Sequence, residues 1–341
     1  LNIQMKPLTL NPQKIMEIYE NFESIYNKFC KIKYSIQESK DVVEKQMNKL
    51  NREVIELAVM QWELRSKILD FKSGSLIMGI LNVTPDSFYD RYFQTSAAVD
   101  RGLQMIDEGA DLIDVGGESS RPPLYGDVLK LDADEEIDRV VPVISALRRQ
   151  TNIPLSIDTV KYEVARKALD AGVDIINDIS ALDDPRMVEL AASSKTPVIL
   201  MHKNNHLTGD EKRGIDREFP NEILGYLSRK VDYAKSNNIE SLAIDPGLGF
   251  GKSIRENLIL MRELKKFVDL GYPVLVGASR KSFIWRTLNI SKEEGLEGSL
   301  ALAVFARLAG AQIIRVHDVR ATSRVLHMAD AVLDSGDLTN C

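Results

Sequence analysis

The sequence predicts a (β/α)8 barrel, also called a TIM barrel, that follows an α-helical hairpin. Eight short apolar runs alternate with amphipathic stretches over about 260 residues, which is the usual length of this barrel. All 20 glycines lie from Gly74 onward, so the composition changes sharply near that residue. Polar residues follow every apolar run. An open doubly wound sheet is the alternative, but no G-x-G-x-x-G segment follows the first run.

The pattern of the first 73 residues predicts helices. Asn11 and Pro12 offer an N-cap and a first helical residue. Apolar residues then recur at alternating gaps of three and four, at Ile15, Ile18, Phe22, Ile25, Phe29, Ile32 and Ile36. A second run in another register includes Val43, Met47, Leu50, Val54, Leu57, Leu64 and Ile68. We therefore expect residues 1–73 to form a helical hairpin, or a coiled coil, that covers the barrel or binds a partner.

From residue 74 to 341 the pattern predicts the catalytic barrel. Short apolar runs between turn residues predict strands at 76–81, 112–115, 154–157, 174–176, 197–201, 242–244, 273–276 and 312–316. Apolar residues at helical spacing predict helices at 97–108, 134–149, 161–170, 221–235, 255–268, 298–309 and 321–333. Because parallel strands of a barrel end on the same face, the residues after these runs should form one site.

The residues after the third, fourth and sixth runs form one chemical set. Asp158, Asn177 and Asp245 offer hydrogen-bond acceptors and one amide, which suit a flat heterocycle with several N–H donors. Because an unpaired buried carboxylate is costly, a guanidine-like edge of a ligand would be a natural partner. Ile179, Met201 and Phe250 could supply apolar contacts to such a ring. The alternatives are that the two aspartates cap helices and that the apolar residues belong to the barrel core.

A second set follows the seventh, eighth and first runs. Lys281, Arg315 and His317 are cationic or tunable donors, and loops after the last two strands often bind phosphate in this fold. Asn82 carries no charge, but its amide oxygen could bind a hard cation that accompanies phosphate groups. This set predicts a phosphate site. An ordinary hydrogen-bonded role is the alternative for His317.

Composition excludes several classes of protein. The hydrophobic and charged fractions, 44% and 28%, are typical of globular proteins, and no apolar run is long enough for a transmembrane helix. Two cysteines, Cys30 and Cys341, cannot build a disulfide framework or a zinc site. A net charge of −6 gives no basic surface for nucleic acid. We expect an enzyme that acts on small molecules and has no nucleic-acid or membrane partner. Its expected location is the cytoplasm, or an organelle if an upstream targeting segment has been removed.

Seven ordered segments resemble the motifs of the dihydropteroate synthase family. They are 79–88, 114–122, 157–159, 176–179, 245–252, 279–283 and 315–318, and the resemblance covers about residues 74–335. It implies a transferase of folate biosynthesis that joins 6-hydroxymethyl-7,8-dihydropterin pyrophosphate to p-aminobenzoate, giving 7,8-dihydropteroate and pyrophosphate. It also implies Mg²⁺, competition by sulfonamides, and a homodimer formed through outer helices.

The resemblance also implies roles for individual residues. The pterin would be bound by Asp158, Asn177, Ile179, Met201, Asp245, Gly277 and Lys281. Pyrophosphate would be bound by Asn82, Arg121, Arg315 and His317, with Mg²⁺ at Asn82. The p-aminobenzoate would be framed by Ser120, Arg121, Pro122, Phe250 and Ser282, and the closing loop contains Asp86 and Phe88. The expected catalytic residues are Asp158, Asp245, Lys281, Arg315 and His317.

Two other functions fit parts of the pattern. A pterin-binding methyltransferase barrel would share Asp158, Asn177 and Asp245, but it would not need the cationic set after the last two strands. A non-catalytic interaction protein would use the helical hairpin and should have lost at least one charge at a strand end. None of those charges is missing, so the sequence favours the synthase.

Overall fold

The computed structural model describes residues 16, 20–21, 61–64, 67–83, 91–118, 131–204 and 219–334. The chain divides into two compact units, residues 1–61 and 62–341. In the first unit Met16, Glu20 and Asn21 are helical, and the hairpin stays a prediction. The other residues of its two apolar runs up to Leu57 lie outside the described residues.

Two short strands, β1 (Gln61–Glu63) and β2 (Ile68–Asp70), precede eight parallel strands that form a closed barrel. In chain order they are β3 (Leu76–Asn82), β4 (Leu112–Gly116), β5 (Leu155–Asp158), β6 (Ile175–Asp178), β7 (Val198–Met201), β8 (Leu242–Asp245), β9 (Leu275–Val276) and β10 (Ile313–Val316). Their spatial order is β8-β7-β6-β5-β4-β3-β10-β9. The Ile244 N–H donates to the Pro273 carbonyl oxygen at 2.9 Å, beside a parallel bridge from Ile244 to Val274. This contact joins β8 to β9, so the predicted eight-stranded barrel is confirmed.

Helices connect the barrel strands and cover its outer face. They are α1 (Arg91–Asp107), α2 (Ala133–Arg148), α3 (Tyr162–Ala171), α4 (Pro185–Ser194), α5 (Phe219–Ser236), α6 (Ile254–Arg262), α7 (Lys265–Val268), α8 (Ser282–Leu288), α9 (Leu296–Leu308) and α10 (Val319–Asp334). Within the described residues, no helix is long and apolar enough to cross a membrane.

The predicted helices differ from the structure in three places. The single helix expected at 255–268 is two, α6 and α7, and the sequence analysis missed α4 and the short α8. The signal for α4 was present, because Asp184 caps the helix by accepting from the Arg186 N–H at 2.9 Å and Pro185 occupies its first turn. Its small residues made the helical periodicity weak, so the capping residues were its strongest signal.

The prediction that helix continues through Leu64 and Ile68 is wrong. Strands β1 (Gln61–Glu63) and β2 (Ile68–Asp70) pair in a small sheet, and the Leu64 N–H donates to the Lys67 carbonyl oxygen at 2.7 Å in the turn. Burial alternates along both strands, which is the period of a strand rather than of a helix. The two compact units divide at residue 61, so this small sheet belongs almost entirely to the second unit.

This small sheet closes the amino-terminal end of the barrel. Side chains at every second strand position point into a barrel of this kind. The lowest interior layer consists of Met78, Leu112, Ile175, Ile199, Ala243, Leu275 and Ile313, and it packs against Trp62, Leu64, Leu69 and Phe71 of the small sheet. The end opposite the carboxyl ends of the strands is therefore filled with apolar side chains.

Trp62→Ala is expected to lower the free energy of unfolding by about 3–5 kcal/mol, because it leaves a large cavity under the barrel. Trp62 is 3% exposed, and its Nε1 has no hydrogen-bond partner among the described residues. Trp62→Phe is the matched control and should cost only about 1 kcal/mol, since it removes no hydrogen bond. Denaturant unfolding measures both. A large loss of kcat in a folded Trp62→Ala protein would contradict a purely structural role.

Candidate active site

The strand register places site residues directly above the apolar floor of the barrel. Two positions after five of the floor residues come Asp114, Asn177, Met201, Asp245 and Arg315, on β4, β6, β7, β8 and β10. Because side chains alternate between the two faces of a strand, these residues point into the barrel as the floor residues do. One strand-end layer therefore combines apolar, anionic and cationic groups.

Neighbouring strands bring the predicted acceptors side by side. Gly116 pairs with Asn82 on one side and with Asp158 on the other, and Asp158 pairs with Asn177. A Cβ atom on Gly116 would lie 3.7 Å from Asn82 Oδ1 and 3.9 Å from Asp158 Oδ2. These are ordinary van der Waals distances, so position 116 lies directly between the two groups. The structure thus brings Asn82, Asp158 and Asn177 together, as the sequence predicts.

Arg315 links two buried carboxylates inside the barrel. Its Nε lies 2.6 Å from Asp114 Oδ2, and its Nη2 lies 2.6 Å from Asp158 Oδ2. Burial opposes its charge, but Asp114 and Asp158 raise the pKa of the guanidinium above its usual value. Asp158 therefore has a cationic partner within the protein, which the sequence analysis did not assign to it. The guanidinium sits between the two predicted subsites, pterin and phosphate.

The carboxyl group of Asp158 has a raised pKa. Burial raises the pKa of its carboxyl to about 7, although Arg315 acts to lower it. Asp245 is also buried, and burial raises the pKa of its carboxyl while Lys281 and the Gly247 N–H, 2.7 Å from its Oδ1, oppose the rise. Neither carboxylate caps a helix, because Ser253 caps α6 and Lys161 precedes α3. Both carboxylates therefore remain available to a ligand.

Lys281 follows β9 at the same end of the barrel. Its Nζ is 4.5 Å from the centre of the Phe250 ring and donates to the Leu248 carbonyl oxygen. Burial lowers the pKa of the Lys281 ammonium to about 8, although Asp245 acts to raise it. Gly277 lies just after β9, where a Cβ would come within 4.0 Å of Lys281 Nζ. Position 277 therefore lies beside the ammonium at van der Waals distance.

The loop after β8 needs glycine at two of its turns. Gly247 and Gly251 have φ of 71° and 64°, in the left-handed region. A Cβ atom on them would lie 1.8 Å from the His202 carbonyl oxygen and 2.1 Å from the Asn204 carbonyl oxygen. Such distances are far shorter than any real contact. The loop therefore packs directly against the backbone that leaves β7, and this close packing places Phe250.

A buried ammonium that the sequence analysis did not single out closes this loop. Lys252 Nζ donates to the carbonyl oxygens of Gly247 at 2.7 Å, His202 at 3.1 Å and Phe250 at 3.3 Å. Burial lowers the pKa of Lys252 to about 7, against the opposing effect of Asp245. Three acceptors match the three N–H bonds of an ammonium. Lys252 therefore joins the loop after β8 to the end of β7.

His317 lies at the end of β10 beside a serine. Its backbone N–H donates to Ser279 Oγ at 3.2 Å, and its Nδ1 is 3.1 Å from the same oxygen. Arg280 Nε donates to Asp318 Oδ2 at 2.9 Å, so the loops after β9 and β10 are joined by two neighbouring contacts. These contacts hold the half-buried His317 ring beside the carboxyl end of the barrel.

The remaining predicted residues divide into two groups. Met201 and Phe250 are buried, Ile179 is half-buried just after β6, and Ser282 is the first residue of α8. These four are described and lie at the carboxyl ends of strands or just beyond them. Five others, on the first two loops, lie outside the described residues: Asp86, Phe88, Ser120, Arg121 and Pro122.

The residues that could act as ligands indicate how the expected Mg²⁺ would bind. In the described part of the chain, no group of three or more histidine, cysteine or acidic residues could hold a metal ion. Magnesium commonly binds through one or two protein ligands together with substrate phosphates and water. A single amide oxygen at Asn82, on the strand next to Arg315, fits a cation that arrives with a phosphate chain.

Asp114 is a buried carboxylate of this site that belongs to the motif at 114–122 but has no role predicted from the sequence. Its Oδ2 accepts from Asn177 Nδ2 at 3.1 Å as well as from Arg315, and its Oδ1 accepts from Ser156 Oγ. Asp114 is 0% exposed. A carboxylate in the middle of the otherwise apolar β4 is the signal that could have identified it.

The barrel, with acceptors and cations gathered at the carboxyl ends of its strands, defines an enzyme of the pterin-binding class. Residues 78–317 match the family model described as pterin binding enzyme, and the chain belongs to this family. Its relatives place it among the dihydropteroate synthases. The enzyme of Bacillus subtilis is 41% identical over 273 residues, which are 79% of this chain and 92% of the relative. The enzyme of Escherichia coli K12 is 42% identical over 264 residues, 76% and 92% of the two chains.

Solved structures agree with these relatives. Dihydropteroate synthase of Xanthomonas albilineans with 4-aminobenzoic acid has a TM-score of 0.74 and 39% identity, covering 81% of this chain and 99% of that one. The same enzyme with 7,8-dihydropteroate gives a TM-score of 0.70 at 36% identity, with the same coverage of 81% and 99%. A Yersinia pestis enzyme in a sulfonamide drug complex gives 0.72 at 37%, covering 80% and 99%. The predicted family and fold are confirmed.

Proposed function

We propose that this protein makes 7,8-dihydropteroate and pyrophosphate from 6-hydroxymethyl-7,8-dihydropterin pyrophosphate and p-aminobenzoate. The observation that carries the proposal is one barrel mouth in which Asp158, Asn177 and Asp245 lie beside Lys281 and Arg315. A methyltransferase would need the acceptors but not the cations, so the combined set favours transfer with a phosphate leaving group. The expected competition by sulfonamides follows from the same site.

The pterin would bind in the barrel mouth between acceptors and apolar side chains. Its ring carries an amidine-like edge, whose N–H groups can donate to the carboxylates of Asp158 and Asp245 and to the amide oxygen of Asn177. Ile179, Met201 and Gly277 would contact the ring faces and edges, with Lys281 donating to a ring acceptor. The cost of burying the two carboxylates would thereby be offset by hydrogen bonds from the ligand.

The pyrophosphate would lie at the ends of β3 and β10. Arg315 and His317 would donate to its oxygens, Arg121 would approach from the second loop, and the Asn82 oxygen would hold the Mg²⁺. When bound, Mg²⁺ would neutralise part of the charge that develops on the leaving group. The amide of Asn82 carries no charge of its own, so it adds no repulsion toward the phosphates.

The reaction exchanges one bond for another at the pterin methylene carbon. The bond from this carbon to the pyrophosphate oxygen breaks, and its electron pair leaves with pyrophosphate. The positive charge left on the methylene spreads into the ring, where anionic Asp158 and Asp245 stabilise it. The uncharged aromatic amine then forms the new carbon–nitrogen bond and releases a proton. Arg315 and His317 stabilise the departing pyrophosphate.

The p-aminobenzoate would bind at the rim of the barrel. Phe250 and Ser282 would contact it from the loops after β8 and β9, and Ser120, Arg121 and Pro122 would complete this subsite. Asp86 and Phe88 would close over it and exclude water, which otherwise competes with the amine as nucleophile. The tie from Lys252 to the Phe250 carbonyl supports this placement of the ring.

A coupled pyrophosphate-release assay tests the function. Release should require both the pterin pyrophosphate and p-aminobenzoate, and a sulfonamide should compete with the latter. Pyrophosphate release that does not depend on p-aminobenzoate would indicate a hydrolase and contradict the proposal. No release with both substrates and Mg²⁺ present would also contradict it.

The two perturbed groups predict a narrow pH optimum for kcat/KM of the pterin substrate. Only anionic Asp158 carries the negative charge that would stabilise the methylene and offers both oxygens as acceptors, so the rate should fall as the pH drops through its pKa of about 7. Lys281 loses its positive charge and one N–H donor on deprotonation, so the rate should fall again as the pH rises through its pKa of about 8. In Lys281→Arg the alkaline limb should move upward, because arginine stays charged. A profile of kcat/KM against pH with an unchanged alkaline limb in that variant would contradict this assignment.

We also propose a cytoplasmic homodimer that pairs through α9 and α10. Arg307 Nε lies 2.6 Å from Asp330 Oδ1 and joins these helices, and the apolar side chains they leave exposed include Phe305 at 64%, Leu308 at 58%, Met328 at 65% and Val332 at 60%. Phe305→Asp is expected to give a monomer in analytical ultracentrifugation, while Tyr233→Asp on α5 should leave the dimer intact. A Phe305→Asp protein that sediments as the wild type does would contradict this interface.

A further inference from the structure

We propose that Asp114 is a positioning residue that couples the pterin subsite to the pyrophosphate subsite through Asn177 and Arg315. This inference rests on the proposed function, because it uses the assignment of those two subsites. Asp114 touches neither substrate in that assignment. It lies inside the barrel on β4, and it holds one residue of each subsite by a hydrogen bond.

The contacts of Asp114 determine which way the Asn177 amide faces. A carboxylate accepts hydrogen bonds and does not donate them, so the group 3.1 Å from Asp114 Oδ2 must be the NH2 of Asn177. The amide oxygen of Asn177 is then the atom left for a ligand. A pterin edge made of N–H donors needs an acceptor at this position. By binding the NH2 group of Asn177, Asp114 turns the amide oxygen toward the pterin.

The same oxygen sets the direction of the Arg315 guanidinium. Asp114 takes Nε at 2.6 Å and Asp158 takes Nη2 at 2.6 Å. Two of the five N–H donors of arginine are thereby engaged, and the planar fork is fixed in one orientation. The other three donors can serve an anion. Because Asn177 and Arg315 share Asp114 Oδ2, a shift of one group changes the electrostatic environment of the other.

A structural role alone gives a poor account of this carboxylate. Asp114 is fully buried in a barrel interior whose next layer is entirely apolar, where a hydrophobic residue of similar volume would avoid the cost of desolvation. Ser156 Oγ on the adjacent strand donates to its other oxygen, Oδ1. Its hydrogen bond leads to neither Asn177 nor Arg315, which makes Ser156 a matched control on the same carboxylate.

Two variants test the inference. Asp114→Asn keeps the size of the side chain and removes its charge. Ser156→Ala removes the hydrogen bond from the Ser156 hydroxyl to Asp114 Oδ1, which leads to neither subsite. Isothermal titration would measure the Kd of inorganic pyrophosphate and of 6-hydroxymethylpterin, each alone and each with the other present. In the wild type, one ligand should tighten the other by about fivefold or more. Asp114→Asn should weaken both ligands about tenfold and abolish the coupling, whereas Ser156→Ala should change each Kd less than about threefold.

Three results would overturn the inference. One is an Asp114→Asn protein that weakens a single ligand or retains the coupling. Another is a Ser156→Ala protein with the same losses, since that would indicate general loss of structure. The third comes from NMR of the isotope-labelled wild type and can be obtained even if Asp114→Asn does not fold. The side-chain NH2 signals of Asn177 should shift when pyrophosphate alone is added. Signals that do not shift would contradict the coupling. A wild type that binds neither ligand would instead overturn the proposed function.

Discussion

Arg315→Ala is expected to reduce kcat by about 10²–10³-fold and also to destabilise the protein by about 3–5 kcal/mol. The kinetic loss follows from removing the donor proposed for the leaving group. The loss of stability follows because Asp114 and Asp158, each 2.6 Å from the guanidinium, would keep buried charges without their cation. Pyrophosphate release and denaturant unfolding measure the two effects separately.

Arg315→Lys is the matched control for this variant. An ammonium keeps the charge but cannot engage both carboxylates in the fork geometry of a guanidinium. We therefore expect most of the stability to return while kcat remains at least about tenfold below the wild type. An Arg315→Ala protein with wild-type kcat would refute the role in catalysis, and one with wild-type stability would refute the buried ion pairs.

Asp245→Asn is expected to lower kcat/KM for the pterin substrate by about 10²–10³-fold while the protein stays folded. The variant removes the negative charge that would stabilise the cationic methylene. An asparagine oxygen can still accept from the Gly247 N–H, which Asp245 accepts at 2.7 Å, so the loop after β8 keeps its anchor. Steady-state kinetics and a thermal unfolding curve test both halves of the prediction.

Asp178 offers a control at the end of a nearby strand. It is also fully buried, but it accepts from the Ser180 N–H at 2.8 Å, the Ser180 hydroxyl at 2.6 Å and the Leu182 N–H at 2.8 Å, all in its own loop. Asp178→Asn should therefore lower stability with little effect on kcat/KM. Equal kinetic losses in the two variants would show that any buried carboxylate at this face matters, and would remove the specific role of Asp245.

The barrel could be predicted because its signals are local. Each strand is a short apolar run that is covered on both faces, and each run ends in residues that cannot be buried cheaply without a partner. This pattern is enough to predict that Asn82, Asp158, Asn177, Asp245 and Arg315 lie at the carboxyl ends of the strands. Helix α4 and the small sheet at Trp62 were missed, because small residues weaken helical periodicity and a seven-residue repeat can pass through a short strand.

The sequence by itself determined the order of the strands along the chain, the face on which their polar ends collect, and the family. Only the tertiary structure decided which charges meet. Asp114 and Arg315 are separated by 201 positions in the chain, yet they form an ion pair of 2.6 Å because β3 alone separates their strands in the barrel. Local patterns record which residues are buried, whereas pairing across strands depends on closure of the barrel. The partner of a buried charge is therefore a property of the closed barrel.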